Sequence, residues 1–246
     1  MAPLLLSSNP ARTGDFLSGR AMTGGSSGGE NRRAMDEAGL LRFRRGQNGD
    51  LDSYVQATDR ALVEMVGERP MCGPLLPATL RRYARVQGAL YVGLSSATAY
   101  RLQPARAVCR SLAERLSLTA AQVFDMEIAL HEAVVNGVVH GNLGLFAGQH
   151  QSMESFSAFF QTVETHLDHP SSLECPLEIA ALWTAERVLL MVRDQGEGYD
   201  YQKTLAENAA LMRCQAFGGG LVLIRNLSQG IRVSRGGRLV SMRFSR

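Results

Sequence analysis

The clearest pattern of polar and apolar residues in the chain has the period of an amphipathic α-helix and runs from Thr119 to His140. Glu132, Asn136 and His140 are spaced four positions apart and therefore share one face of the predicted helix. The opposite flank is apolar or small, with Leu130, Val134, Gly137 and Val138. A helix with an apolar back and a carboxylate beside an amide on its front is suited to pack on a core and present a binding site.

Signals for both ends of this helix are present. Thr119 and Gln122 have the spacing of a capping box, in which the two side chains satisfy backbone N–H groups of the first turn. Gly141 and Asn142 supply a stop signal, because both residue types tolerate the left-handed conformation that ends many helices. His140 is expected to contact carbonyl groups at this end, which is a structural role and not a ligand-binding one.

The remaining apolar patterns predict further helices and strands. Helices are predicted over residues 53–66, 78–88, 104–116 and 153–167. Strands are predicted over residues 90–96, 177–183, 188–192, 231–234 and 239–244. The turn at residues 235–238 contains two glycines and joins the last two strands into a hairpin. Helices on one face of a mixed, mostly antiparallel sheet fit this order, so the predicted fold class is an α/β sandwich.

Composition divides the chain into three parts. Residues 1–50 are rich in Gly and Ser and have few apolar residues to bury, which predicts a disordered tail. Residues 51–88 are predicted to form a helical N-terminal extension, and residues 89–246 the main domain. Within that domain, residues 143–176 are predicted to be a helical insertion between the long helix and the next strand.

Charge, cysteine content and hydropathy exclude several classes of protein. A net charge of +3 with scattered arginines gives no sign of direct nucleic-acid binding. The four cysteines are far apart in the sequence, so neither a zinc site nor a disulfide framework is predicted. No apolar run reaches the roughly 18 residues of a membrane span. We therefore expect a cytoplasmic protein without a membrane segment.

Two glycine motifs lie in the C-terminal half of the chain. The segment Asp194–Gly198 comes directly after a predicted strand, and its alternating glycines permit a tight turn beside a ligand that the carboxylate faces. The segment Gly218–Leu221 opens an apolar stretch. Glycines at the start of a helix let backbone N–H groups approach phosphate oxygens closely, so the second motif favours a phosphate site.

The order of these motifs resembles that of the GHKL, or Bergerat, ATP-binding fold of histidine kinases, gyrase-type ATPases and anti-sigma serine kinases. The matching positions are Glu132 and Asn136 in the N box, Asp194, Gly196 and Gly198 in the first glycine box, and Gly218, Gly220 and Leu221 in the second. The sequence is most similar to the anti-sigma regulatory factors, which are bacterial serine-protein kinases, because its N box ends in His140-Gly141-Asn142. The resemblance covers residues 90–246.

The resemblance implies ATP and Mg²⁺ as cofactors and a role for each matching residue. Glu132 would be the general base, Asn136 the ligand of Mg²⁺, and Asp194 the acceptor of a hydrogen bond from the adenine amino group. The glycines of the first box would shape the adenine wall. The glycines of the second box and Leu221 would place N–H groups at the phosphates, and residues 199–217 would form a lid over the nucleotide.

Among relatives of this kind, the sequence favours a free-standing anti-sigma-type kinase. No histidine precedes the predicted long helix, which argues against a sensor histidine kinase, and no transducer domain is expected after the final hairpin, which argues against gyrase-like ATPases. The expected activity is phosphoryl transfer from Mg-ATP to a serine of an anti-anti-sigma protein of the STAS type. Such a reaction belongs to a partner switch that controls a sigma factor and hence transcription.

Two alternatives stay open. A catalytically weak, ATP-dependent binding module would use the same pocket to sequester a sigma factor or a response-regulator partner. A regulatory companion of a response-regulator phosphatase would dock through the insertion at 143–176. Glu132 favours the kinase, because binding alone does not require a carboxylate beside the metal. The residues also leave a homodimer open, since dimers are usual in the family that the chain resembles.

Overall fold

A mixed sheet of eight strands forms the centre of the computed structural model, which describes residues 40–44, 50–58, 60–83, 86–145, 153–198 and 220–246. The strands are β1 (Leu40–Phe43), β2 (Ala61–Val66), β3 (Arg69–Pro70), β4 (Gly88–Ser95), β5 (Pro176–Trp183), β6 (Arg187–Arg193), β7 (Gly230–Ser234) and β8 (Leu239–Ser245). Their order is β1-β2-β4-β5-β6-β8-β7, and β3 pairs with β2. The β1–β2 and β2–β4 pairs are parallel, and the other five are antiparallel.

The described helices cover both faces of this sheet unequally. They are α1 (Leu51–Ala57), α2 (Leu75–Tyr83), α3 (Ser96–Leu102), α4 (Ala105–Leu116), α5 (Ala120–Asn136), a π-helix (Gly137–Asn142), α6 (Met153–Asp168), α7 (Pro170–Glu174) and α8 (Gly220–Leu227). Helices α1, α3, α4, α5, α6 and α8 share the larger hydrophobic core. The α/β sandwich with a mostly antiparallel sheet is confirmed. Helix α2 corresponds to the helix predicted over residues 78–88 but begins earlier, at Leu75. Its Leu75 and Leu76 pack in a smaller core on the opposite face, whereas the sequence predicted helices on one face only.

The central strands are buried on both sides. All eight residues of β4 are buried, and β5 is buried from Leu177 to Trp183. Alternate residues of β5 point to different cores, with Ile179 in the larger and Ala180 in the smaller. Such strands carry near-continuous apolar runs, which explains why the sequence located them well.

The helix predicted over residues 53–66 is wrong in its second half. Helix α1 ends at Ala57, and Ala61–Val66 is the strand β2, which pairs with both β1 and β4. Thr58 closes the helix, and its hydroxyl donates to the carbonyl oxygen of Ala61 at 2.8 Å. A short apolar run fits either a helix or a buried strand, and here pairing in the sheet decides the outcome.

The N-terminal boundary also differs from the prediction. The segment expected to be a helical extension, residues 51–88, contributes the strands β2 and β3 to the sheet. Strand β1 lies within the segment predicted as a disordered tail, and Phe43 contacts Tyr54 of α1 edge-to-face, with ring centroids 5.0 Å apart. Residues 1–39 and 45–49 of the predicted tail lie outside the described residues.

Helices α6 and α7 lie within the predicted insertion. Val163 and Leu167 of α6 are buried in the larger core. Arg101 of α3 donates to Glu164 at 3.3 Å and to Asp168 at 2.6 Å. The described part of the insertion is therefore packed on the domain through apolar contacts and ion pairs.

None of the helices in the described segments has both the length and the apolar character that a bilayer crossing requires. Among the described residues, Cys72, Cys109 and Cys175 are free thiols. Burial raises the pKa of the Cys72 and Cys175 thiols, which favours their protonated forms.

Candidate functional site

The start of α5 sets the position of the polar face that the sequence singled out. Thr119 is the N-cap: its hydroxyl accepts from the Gln122 backbone N–H at 3.3 Å, and its own N–H donates to the Gln122 side chain at 2.8 Å. The predicted capping box is therefore confirmed. The apolar flank is buried as predicted, and Glu132 and Asn136 are half-buried on the other side.

Glu132 and Asn136 converge on the start of α8. The position of Gly220 shows this convergence. A Cβ placed on Gly220 would lie 2.7 Å from Glu132 Oε2 and 3.2 Å from Asn136 Nδ2. Both polar groups therefore reach one point at the helix N-terminus. A side chain at this position would displace the Glu132 carboxylate, which is the end of a flexible side chain.

The N-terminus of α8 is suited to bind an anion. Gly220 is the first residue of the helix, and the N–H groups of a first turn have no partner within the helix and carry a partial positive charge. The Leu221 side chain is buried in the larger core, so only its backbone is available to a ligand. Gly218 and the predicted lid, residues 199–217, lie outside the described residues.

The helix does not stop after Asn136 but continues as a π-helix through Asn142. The Leu143 N–H donates to the Val138 carbonyl oxygen at 2.9 Å, a spacing of five residues. Helical turns of this kind are rare and are found frequently at functional sites. The widened turn carries Gly141 and Asn142 to the loop that follows β6.

That loop contains Asp194, which is buried with an exposed fraction of 7 %. Burial raises the pKa of its carboxyl from 3.8 to about 6. The Gly196 N–H donates to Asp194 Oδ1 at 2.9 Å, and this hydrogen bond lowers the pKa of the carboxyl. The positive charges of Arg238 and Arg193 also lower it. The carboxyl therefore lies in a pocket that disfavours charge, held by its own turn.

The loop and the π-helix are in direct backbone contact. A Cβ at Gly141 would lie 2.5 Å from Asp194 Cγ, and one at Gly196 would overlap the Gly141 carbonyl. Both glycines are thus needed for the close approach. Gly198 has a φ of +86°, and its Cα lies against the carbonyl of Gly236 in the turn between β7 and β8. The first glycine motif is therefore enclosed between the π-helix and the hairpin.

Sequence reasoning missed the part that Gly141 and Asn142 play here, since it assigned them only to ending the helix. Asn142 Oδ1 accepts from the Gln195 N–H at 2.6 Å, within the same turn as Asp194. The signal in the sequence was their position directly after the polar face. The structural role expected for His140 is confirmed, because its Nδ1 lies 2.6 Å from the Leu145 carbonyl oxygen.

The donor atoms fit a metal ion that arrives with phosphate ligands. Within the segments that the structure describes, no group of three or more His, Cys, Asp or Glu side chains could hold a metal. Asn136 offers one amide oxygen and Glu132 lies beside it, which matches the few protein ligands that Mg²⁺ takes when substrate phosphates and water complete its shell.

One protein-family model covers the region in which this geometry lies. The family model for the histidine kinase-like ATPase domain matches residues 95–244, which is more than half of the chain. The matched region holds all the predicted site residues and excludes β1, β2 and α2. No curated protein matches the chain.

Proposed function

Because the chain belongs to the histidine kinase-like ATPase domain family, we propose that it is an ATP-binding regulatory serine-protein kinase of the anti-sigma type. One observation carries the proposal: the carboxylate of Glu132, the amide of Asn136 and the N-terminus of α8 meet at Gly220. Phosphoryl transfer requires an oriented acceptor, a metal and donors for phosphate oxygens at one place, and this arrangement supplies groups suited to each task.

Adenine recognition is proposed for the turn after β6. The Asp194 carboxylate would accept a hydrogen bond from the adenine amino group, which distinguishes adenine from guanine, whose equivalent position is a carbonyl oxygen. The close contacts of Gly196 and Gly198 support a flat wall beside the base. A buried carboxyl with few competing partners is suited to discriminate between these groups, because an unmatched partner would leave it unsatisfied.

The phosphates are proposed to lie between α5 and α8. The first-turn N–H groups of α8 would donate to phosphate oxygens. Asn136 would hold Mg²⁺, which when bound neutralises charge on the transferring phosphate. Glu132 would accept the proton of a serine hydroxyl while the serine oxygen bonds to the γ-phosphorus. The bond between the γ-phosphorus and the ADP oxygen would break in the same step.

The partner in this proposal is an anti-anti-sigma protein of the STAS type, and the switch would release or capture a sigma factor in the cytoplasm. The N-box ending His140-Gly141-Asn142 supports this subfamily. This ending is part of the packed domain, because His140 Nδ1 lies 2.6 Å from the Leu145 carbonyl oxygen.

The test is transfer of labelled phosphate from Mg-ATP to purified STAS-type proteins, with wild type and the Glu132→Gln variant compared. We expect labelled serine with wild type and a rate at least about a hundredfold lower with Glu132→Gln, because a general base is lost. Glu127→Gln makes the same chemical change five residues earlier on α5 and serves as the control.

The outcomes separate the candidate functions. Nucleotide binding by wild type without phosphate transfer to any partner would favour the ATP-dependent binding module instead. Transfer that is unchanged in Glu132→Gln would remove Glu132 as the base. Absence of nucleotide binding would overturn the proposed function altogether.

A further inference from the structure

We infer that Asn142 is a positioning residue, which holds the Asp194–Gly196 turn in the geometry that recognises adenine. The inference rests on the proposed function, since it concerns the same nucleotide site. Asn142 is not among the residues that would touch the phosphates or the metal. Its role follows from the three groups that its side chain joins by hydrogen bonds.

The Asn142 amide bonds on both of its sides. Oδ1 accepts from the Gln195 N–H at 2.6 Å. Nδ2 donates to Ser96 Oγ at 2.8 Å and to the Pro176 carbonyl oxygen at 3.2 Å. One side chain therefore connects the adenine turn to the first residue of α3 and the first residue of β5.

The far end of this connection is firmly anchored. The Ser96 N–H and hydroxyl both donate to the Cys175 carbonyl oxygen at 2.9 Å. Next to it, buried Glu64 accepts from the Ser95 N–H and from the Thr98 hydroxyl, each at 2.6 Å. A positioning group is effective only when its own support is rigid, and the junction of β4 and α3 meets this condition.

An asparagine is the residue type that this position requires. The Gln195 N–H needs an acceptor, while the Ser96 hydroxyl and the Pro176 carbonyl face a donor. Only Asn and Gln carry both an acceptor and two donors on one planar group, and an aspartate would supply acceptors alone. The chemistry of the three partners thus specifies the amide.

The backbone contact explains why the position of the turn matters. Gly141 lies against the Asp194 carboxyl and Gly196 lies against the Gly141 carbonyl, so the turn is seated on the residue that precedes Asn142. On its other side the turn is held by the Asp194 N–H, which donates to the Arg238 carbonyl oxygen at 3.1 Å. The Asn142 bond is the hydrogen bond by which the π-helix end holds the turn. A displacement of about 1 Å is enough to lose most of a directional interaction with a ligand.

The test compares wild type with Asn142→Leu, which has similar volume and no polar group, by fluorescence titration with Mg-ADP and Mg-GDP. We expect ADP binding to weaken about tenfold and the preference for ADP over GDP to shrink by a similar factor. We also expect the pH midpoint of ADP binding to move down from about 6, because a loosened turn admits water to the Asp194 carboxyl.

A second variant and a control keep the test decisive. Ser96→Ala removes one partner of the Asn142 amide and should change the same three readouts in the same direction by a smaller factor. Thr58→Val removes a different hydroxyl-to-carbonyl hydrogen bond, 2.8 Å long and buried, away from the site. It should lower stability without changing affinity, selectivity or the pH midpoint.

Failure of the inference can be told from failure of the proposed function. If wild type binds ADP and both Asn142→Leu and Ser96→Ala bind ADP and GDP as wild type does, Asn142 does not position the turn. If Thr58→Val changes the readouts equally, the effect is one of general stability, which also contradicts the inference. If wild type binds no ADP, the proposed function fails, and the inference fails with it.

Discussion

Two carboxyl groups on opposite faces of the sheet, Asp194 and Glu178, are both buried but have different hydrogen-bond partners. Burial raises the pKa of both. Glu178 has no exposed surface, accepts from the Tyr91 hydroxyl at 3.0 Å and the Leu75 N–H at 2.9 Å, and lies 3.9 Å from Arg193. Asp194 accepts from its own turn and is surrounded by glycine backbone.

The comparison teaches that burial and a raised pKa do not by themselves identify a functional acid. The partners of Glu178 come from β4 and α2 and tie that helix to the sheet. Asp194 instead lies against the backbone of Gly141 and accepts from the Gly196 N–H, with Arg193 and Arg238 near enough to lower its pKa. We therefore assign Glu178 to stability, while the position of Asp194 in the turn after β6 supports the ligand-binding role that we propose for it.

The largest effect expected from this distinction is on stability. Glu178→Ala would leave the Tyr91 hydroxyl and the Leu75 N–H without an acceptor and Arg193 without its partner. We expect the free energy of unfolding to fall by about 3 kcal/mol, measured by denaturant titration. Glu178→Gln keeps an acceptor for the hydroxyl and should lose less. ADP affinity unchanged in the folded Glu178→Gln variant would support the distinction, and a large loss would contradict it.

Asp194→Asn should show the reverse pattern. The neutral amide removes a charge that the site disfavours, so stability at neutral pH should stay the same or rise. We expect Mg-ADP binding to weaken by about 2 kcal/mol, because the acceptor for the adenine amino group loses its charge. Calorimetric titration measures this loss. A destabilised variant with normal affinity would reverse the assignments of the two acids.

The pH dependence of binding separates the acids further. With a pKa of about 6, Asp194 is mostly ionised at pH 7 and mostly protonated at pH 5. Since the ionised form is the better acceptor, we expect ADP affinity to fall about tenfold between these values. Asp194→Asn should abolish that fall. A pH profile that is the same in wild type and variant would exclude Asp194 as the titrating group.

The free energy of unfolding should change with pH in the opposite sense to ADP affinity, rising as the pH falls. The folded-state pKa of Asp194 lies above its unfolded value of 3.8, so the folded protein holds more protons between about pH 4 and pH 6. Its contribution to stability is therefore lost as the pH rises through this window and is constant above it. The difference in unfolding free energy between wild type and Asp194→Asn, measured across the window, isolates this contribution from that of Glu178.

Gly220→Ala should produce the smallest change. Alanine is the better helix former, so the stability of the protein should change by no more than about 1 kcal/mol. The added Cβ would meet Glu132 Oε2 at 2.7 Å and displace the carboxylate. We expect Mg-ADP affinity to fall by about 1 kcal/mol, measured by the same titration. Unchanged affinity and unchanged phosphate transfer would show that the start of α8 is not part of the site.

Local patterns predicted one side of the site well. The capping box fixes where α5 begins, so the period of the helix alone brought Glu132 and Asn136 together. The loop at Asp194 was located because alternating glycines follow a buried strand. These features depend on residues close in sequence, which is why the chain alone was sufficient.

The features that the sequence did not indicate depend on distant contacts. The bond of Asn142 to Gln195 joins residues 53 positions apart, and the bond of Tyr91 to Glu178 joins residues 87 apart. Nothing local distinguished Ala61–Val66 as a strand, because its pairing partners in β1 and β4 decide it. The placement of α2 on the second face likewise depends on a distant contact, because the Leu75 N–H donates to the Glu178 carboxylate.

Hydrogen–deuterium exchange with and without Mg-ADP tests most directly that the nucleotide lies between the adenine turn and α8. We expect slower exchange in peptides that cover 193–198 and 220–224, with α2 on the opposite face unchanged. Unaltered exchange at both of these segments, or protection confined to α2, would contradict the site.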